Sequence, residues 1–116
     1  MIATTSKTKR KIAIQDIDGF KFTNVSDLVY CESTRKGTSL FFNSGHTILS
    51  SRGLYELESE LVPLGFFRIH KSFLVNLDYI SAVSGGEKST VSLFDGTVLS
   101  VSARKKKSFM DQFTKV

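Results

Sequence analysis

The sequence has no tryptophan, one proline, one cysteine and two histidines among 116 residues, and each scarcity removes a class of structure or chemistry. A single cysteine cannot close a disulfide within the chain, so Cys31, set in an apolar strand pattern, is expected to be a buried, inert thiol suited to a reducing cytoplasm. His46 and His70 have no Cys or carboxylate neighbours at metal-ligand spacing, which leaves no zinc site. No apolar run approaches the ~20 residues of a membrane span, and the start MIATTSKTKRK lacks the apolar region of a signal peptide. Ser-x-x-Lys occurs at Ser6 to Lys9, Ser33 to Lys36 and Ser102 to Lys105; three hits in so short a basic chain mark it as chance rather than an acyl-enzyme motif. The expectation is a soluble, cytoplasmic protein with no enzyme activity, cofactor, metal, membrane partner or small-molecule substrate.

What is present is ordinary in amount and unusual in arrangement. Hydrophobic residues make up 41% and charged residues 23%, enough for one globular core and too little charge for global disorder. Ten Phe replace Trp as the large core fillers and are expected to alternate mostly inward. The formal net charge of +5 is sorted into clusters: Lys7 to Lys11, Arg35-Lys36, Arg68 to Lys71 and Arg104 to Lys107. The acids Glu56, Glu58 and Glu60 stand apart on one predicted helix. Such sorting favours a polyanionic partner.

Along the chain, residues 1–9 read as a flexible basic tail or an extra phosphate-touching arm, and 10–116 as a single domain without repeat or linker. IAIQDIDGFKFTNV predicts a hairpin about Asp18-Gly19. LVYCES predicts a strand with Val29 and Cys31 on one face and Tyr30 and Glu32 on the other. After the polar loop STRKGTS, a second hairpin turns at Ser44-Gly45. Ser51 is the expected cap of a helix over Arg52 to Val62, with Leu54, Leu57 and Leu61 as its apolar stripe and Pro63 as its stop. Three further strands follow with turns near Gly85-Gly86 and Asp95-Gly96. A last helix is predicted over Ala103 to Phe113, capped by Ser102, with Phe109 and Phe113 stacked at i, i+4. The fold class is mainly β with two short helices, packed as a sandwich or irregular sheets.

The stretch FFRIHKSFLVNLDYI, residues 66–80, interleaves β-formers with Arg68, His70, Lys71, Ser72 and Asn76, donors with no acidic partner among them. Such a segment anchors itself in a core and shows a donor-rich edge fit for phosphates and base edges. His70 and Asn76 also suit structural hydrogen bonds, and Ser72 suits either a phosphate or the local turn. Two other readings stay open. One is a single-strand binder stacking bases on Tyr30 and Tyr55; the other is a protein-interaction module using the acidic face Glu56 to Glu60.

The order aromatic, Arg, Ile, His, Lys, Ser, aromatic, aliphatic, Val, Asn resembles the signature of the LytTR-type DNA-binding domain of bacterial response regulators. The acidic helix before it and the Val-Ser-x-Arg stretch near the C-terminus extend the resemblance to about residues 10 to 114. It implies an elongated antiparallel β-β-β sandwich whose loops enter the major groove of double-stranded DNA, and two copies on a direct repeat. It implies Arg104, in VSAR, as a base reader, with a guanidinium fork suited to guanine. Lys71, after the motif His70, is a second contact. The third aligned position is Thr38, a departure from the long polar residue usual there; Arg35 and Lys36 beside it can hold phosphates. Lys105, Lys106 and Lys107, in the first turn of the last helix, are expected phosphate contacts, with His70 and Ser72 as further candidates. Family members usually carry a receiver domain, for which 116 residues leave no room; the expectation is a stand-alone domain in transcription regulation, one controlled by something outside this chain, or a piece of a longer chain.

Overall fold

The computed structural model describes residues 10–116; the expected tail over residues 1–9 lies outside them. β1 (Lys11–Asp16) and β2 (Gly19–Asn24) form a hairpin with a two-residue turn, Asp16 facing Gly19. A 3-10 turn leads into β3 (Leu28–Thr34), which pairs with β4 (Gly37–Phe42), itself paired with β5 (Thr47–Ser50). Helix α1 (Leu54–Leu61) follows, then β6 (Phe66–His70) and β7 (Phe73–Asn76). These strands make one antiparallel sheet in the order β5-β4-β3-β7-β6. The chain closes with β8 (Ile80–Val83), β9 (Thr90–Leu93), β10 (Val98–Ser100) and the short helix α2 (Lys106–Met110). β8 to β10 form their own antiparallel sheet.

The five-stranded sheet is the middle layer and is apolar on both faces. On one face Leu28, Cys31, Leu40, Phe42 and Leu74 meet Ile14 of β1 and Leu54 and Leu61 of α1. On the other, Val29, Ile69 and Val75 meet Val91, Leu93, Leu99 and Phe109. Two apolar faces need two covers, which makes three layers. The extents of 45 × 43 × 24 Å describe a slab, elongated along two axes rather than one. Among the described residues no helix is long and apolar enough to cross a membrane.

Several expectations are corrected. Val29 and Cys31 enter different cores, because the pairing of β3 with β4 slips between Leu28 and Tyr30; a bulge breaks the alternation that sequence pattern assumes. Helix α1 begins at Leu54 rather than Arg52, and Ser51 does not cap it. Arg52 donates its N–H to Ser50 Oγ (3.2 Å), and its carbonyl accepts from Thr38 Oγ1 (2.8 Å), which holds it outside the helix. Glu56 Oε1 reaches back to the Gly53 N–H instead (3.2 Å). The last helix shrinks to a 3-10 turn over Ala103–Lys105 and the five residues of α2, with no side-chain cap from Ser102. Uncapped and with cations against its dipole, that segment has little to propagate it. Phe109 is nonetheless fully buried and meets Phe113 edge-on at 5.4 Å. All the Phe residues are at least partly buried except Phe20, Phe22 and Phe94.

Candidate nucleic-acid interface

Three loops far apart in sequence meet at one end of the middle sheet: antiparallel pairing brings two of them together, and a backbone hydrogen bond ties the third to them. The β3–β4 turn carries Arg35 and Lys36, and β3 pairs with β7 so that Glu32 faces Phe73. That pairing sets the β6–β7 turn, His70 to Phe73, beside it, and the Ser33 N–H donates to Ser72 O at 3.0 Å. The segment after β10 is tied to the outer strand of the same pair, where the Ser102 N–H donates to Ile69 O at 2.8 Å. The 3-10 turn that follows projects Arg104 and Lys105.

Glu58, Arg68, His70, Lys71, Ser102, Arg104 and Lys105 line one open cleft of about 430 Å³. Arg35, Lys36, Lys71 and Arg104 are exposed and Lys105 is half-buried. Among the described residues none of these five takes part in an ion pair. With Glu58, the acid of the cleft, paired to Arg68, these five unpaired cations focus positive potential for an anionic ligand.

His70 and Ser72 hold the turn between them: the Ser72 N–H donates to His70 Nδ1 at 3.1 Å, and the ring lies 5.5 Å from that of Phe73. With Nδ1 accepting, the neutral ring carries its proton on Nε2, which is left to donate. Asn76 is structural: its amide donates to Leu28 O (2.9 Å) and its Oδ1 accepts from the Asp78 N–H (3.0 Å), at the opposite end of β7.

Thr38 is corrected. It is fully buried, with its hydroxyl spent on Arg52 O, so the third aligned contact position offers nothing to a base and only Arg35 and Lys36 represent that loop. Lys106 and Lys107 sit on α2, apart from the cleft-lining set, and Lys107 Nζ lies 3.6 Å from Asp111. With α2 only five residues long, no helix N-terminus assists them in holding a phosphate.

Sequence reasoning missed the partner of Arg68. Its Nη1 donates to Glu58 Oε1 at 2.7 Å, its Nε to His70 O at 2.9 Å, and its Nη2 to Lys71 O. A half-buried Arg on a strand signals that some acceptor must exist. Nothing local says that it comes from α1.

The sequence matches the LytTr DNA-binding domain family over residues 18–114. Among solved structures it is similar to the LytTr DNA-binding domain of a Bacillus cereus protein described as a methyl-accepting/DNA response regulator. That match has 26% identity and a TM-score of 0.75, covering 89% of this chain and 95% of that one. No curated protein matches the chain. LytTR domains are non-catalytic DNA-binding modules associated with response regulators, and with the family matched over most of its length, this chain belongs to the LytTR family of DNA-binding domains.

Proposed function

We propose that the chain is a sequence-specific binder of double-stranded DNA in bacterial transcription regulation, placing the β6–β7 turn and the loop at Arg104 in the major groove. The observation that carries this reading is the convergence of three cationic loops, from three separate parts of the sequence, on one hydrogen-bonded end of the middle sheet. Arg104 is the first candidate base reader, since a guanidinium fork matches guanine O6 and N7, and Lys71 is the second. Arg35, Lys36 and Lys105 hold phosphates and fix the approach, which supplies affinity without sequence information. Lys106 and Lys107 lie further along α2 as outer phosphate contacts. His70 and Ser72 act mainly through the turn they close. Two copies on a direct repeat would join the affinities of two sites.

The rival readings lose support from particular residues. Tyr30, one of two expected stacking platforms for a single strand, is itself stacked on Phe41 at 4.5 Å. Of the acidic residues offered to a protein partner, Glu56 is paired with Arg52 and Glu58 with Arg68. Selection from a random duplex pool tests the proposal. Enrichment of a spaced direct repeat, competed by duplex and not by single strands, is the expected result; an unenriched pool refutes it.

A further inference from the structure

Arg68 stands among the cations of the cleft, yet its side chain is only 17% exposed and all three of its donor nitrogens are engaged within the protein. Two serve consecutive carbonyls of the β6–β7 turn, at His70 and Lys71, and the third serves Glu58 on α1. A planar fork with fixed donor directions can hold a turn in this way, whereas a single ammonium cannot satisfy the three acceptors in that geometry. The neighbouring bonds continue the frame. Ile69 O, between Arg68 and His70, accepts from Ser102 ahead of Arg104, and Ser72 O accepts from Ser33 ahead of Arg35. Residues 68–72 are therefore the strip on which all three cationic loops hang, and Arg68 braces that strip against α1.

We propose that Arg68, anchored by Glu58, is a positioning residue that fixes the β6–β7 turn so that Lys71 meets its base, and that Arg68 contacts no phosphate itself. This rests on the duplex-binding reading above. It has a consequence peculiar to positioning: keeping the charge does not keep the function.

The test compares the unaltered protein with Arg68→Lys and Arg68→Gln on a duplex selected from a random pool and on the same duplex scrambled. Both variants are expected to lose on the order of tenfold on the selected duplex, in the lower range for one lost base contact, and to lose little on the scrambled one. The salt slope should stay unchanged in Arg68→Gln, and in a Lys71→Ala background the loss should vanish. In the free protein, amide exchange at Ser72 and Ser33 should accelerate in Arg68→Lys while that of Val75 holds. The proposal is overturned if Arg68→Lys binds the selected duplex as the unaltered protein does, since a lysine would rescue a phosphate contact. It is equally overturned if Arg68→Gln weakens both duplexes alike with a slope shallower by about 0.9, if the losses of Arg68 and Lys71 simply add, or if exchange at Ser72 and Ser33 is unmoved. Should the Arg68 variants fail to fold, Glu58→Gln takes their place. A lower selected-to-scrambled ratio with faster Ser72 exchange supports the brace, and no change in either overturns it. If the unaltered protein selects no duplex, the duplex reading fails by itself and the exchange measurement still decides the brace.

Discussion

Adding one methyl group at Gly37 should unlock the turn that presents Arg35 and Lys36, and the structure gives the size of the effect. Gly37 opens β4 with φ at +145°, a conformation L side chains rarely adopt. A Cβ there would stand 2.1 Å from Ser50 O, 3.1 Å from Ser50 C and 3.2 Å from Ser51 C. All three are backbone atoms, so no rotamer change relieves the overlap; the turn or the end of β5 must move. Strained backbone costs about 1–3 kcal/mol, and forcing atoms into a packed site costs about 1–3 kcal/mol more. Gly37→Ala should therefore lose about 2–6 kcal/mol, which at about 4–8 °C per kcal/mol for a domain near this size lowers Tm by roughly 10 °C or more. Gly45→Ala is the control, because Gly45 also has positive φ, +95°, but nothing lies within 4 Å of its Cβ position. Only the conformational part remains there, about 1–3 kcal/mol. The assay is a thermal melt of both variants with duplex affinity measured well below the transition. Equal losses at Gly37 and Gly45 would falsify the claim that close approach to β5 holds this turn.

Three other outcomes are expected. Arg104→Ala should cost about 1–3 kcal/mol on the selected duplex and relax preference at one base pair, whereas Lys106→Ala should weaken all sequences alike and reduce the salt slope by about one unit; equal losses on selected and scrambled DNA for Arg104→Ala, with an unchanged melt, would demote it to a phosphate contact. Asn76→Ala leaves Leu28 O without its partner in a buried site and should cost about 1–3 kcal/mol, read as a lower urea midpoint at constant slope; an unmoved midpoint would mean that this bond carries no stability. Cys31 is fully buried, and burial pushes its thiol pKa up, so a thiol reagent should label it slowly in native protein and quickly in denaturant; rapid native labelling would contradict its place in the core.

Much of this protein was legible in its sequence, because its strands are short and their alternation is local. The hairpins, the strand carrying Cys31, the apolar stripe Leu54, Leu57, Leu61 of α1 and the arrest at Pro63 follow from side-chain period and backbone chemistry within a few residues. The interleaved donors of residues 66–80 and the cations near Arg104 identified the family and the surface proposed above to meet DNA. Tertiary structure decided what depends on residues distant in sequence. Thr38 lies inside in alternation with Leu40 and Phe42, and its hydroxyl is satisfied there by Arg52 O, supplied by the chain after β5. Val29 parted from Cys31 because β3 bulges against β4, a register choice that alternation cannot encode. The last helix is short, with no side-chain cap from Ser102 and cations in its first turn, while the Ser102 N–H ties its start to Ile69 O. Arg68, a cation like its neighbours in composition, became a brace because Glu58 lies across from it in space. Side-chain chemistry alone names the groups able to bind; pairing across the sheet decides which of them are still unspent.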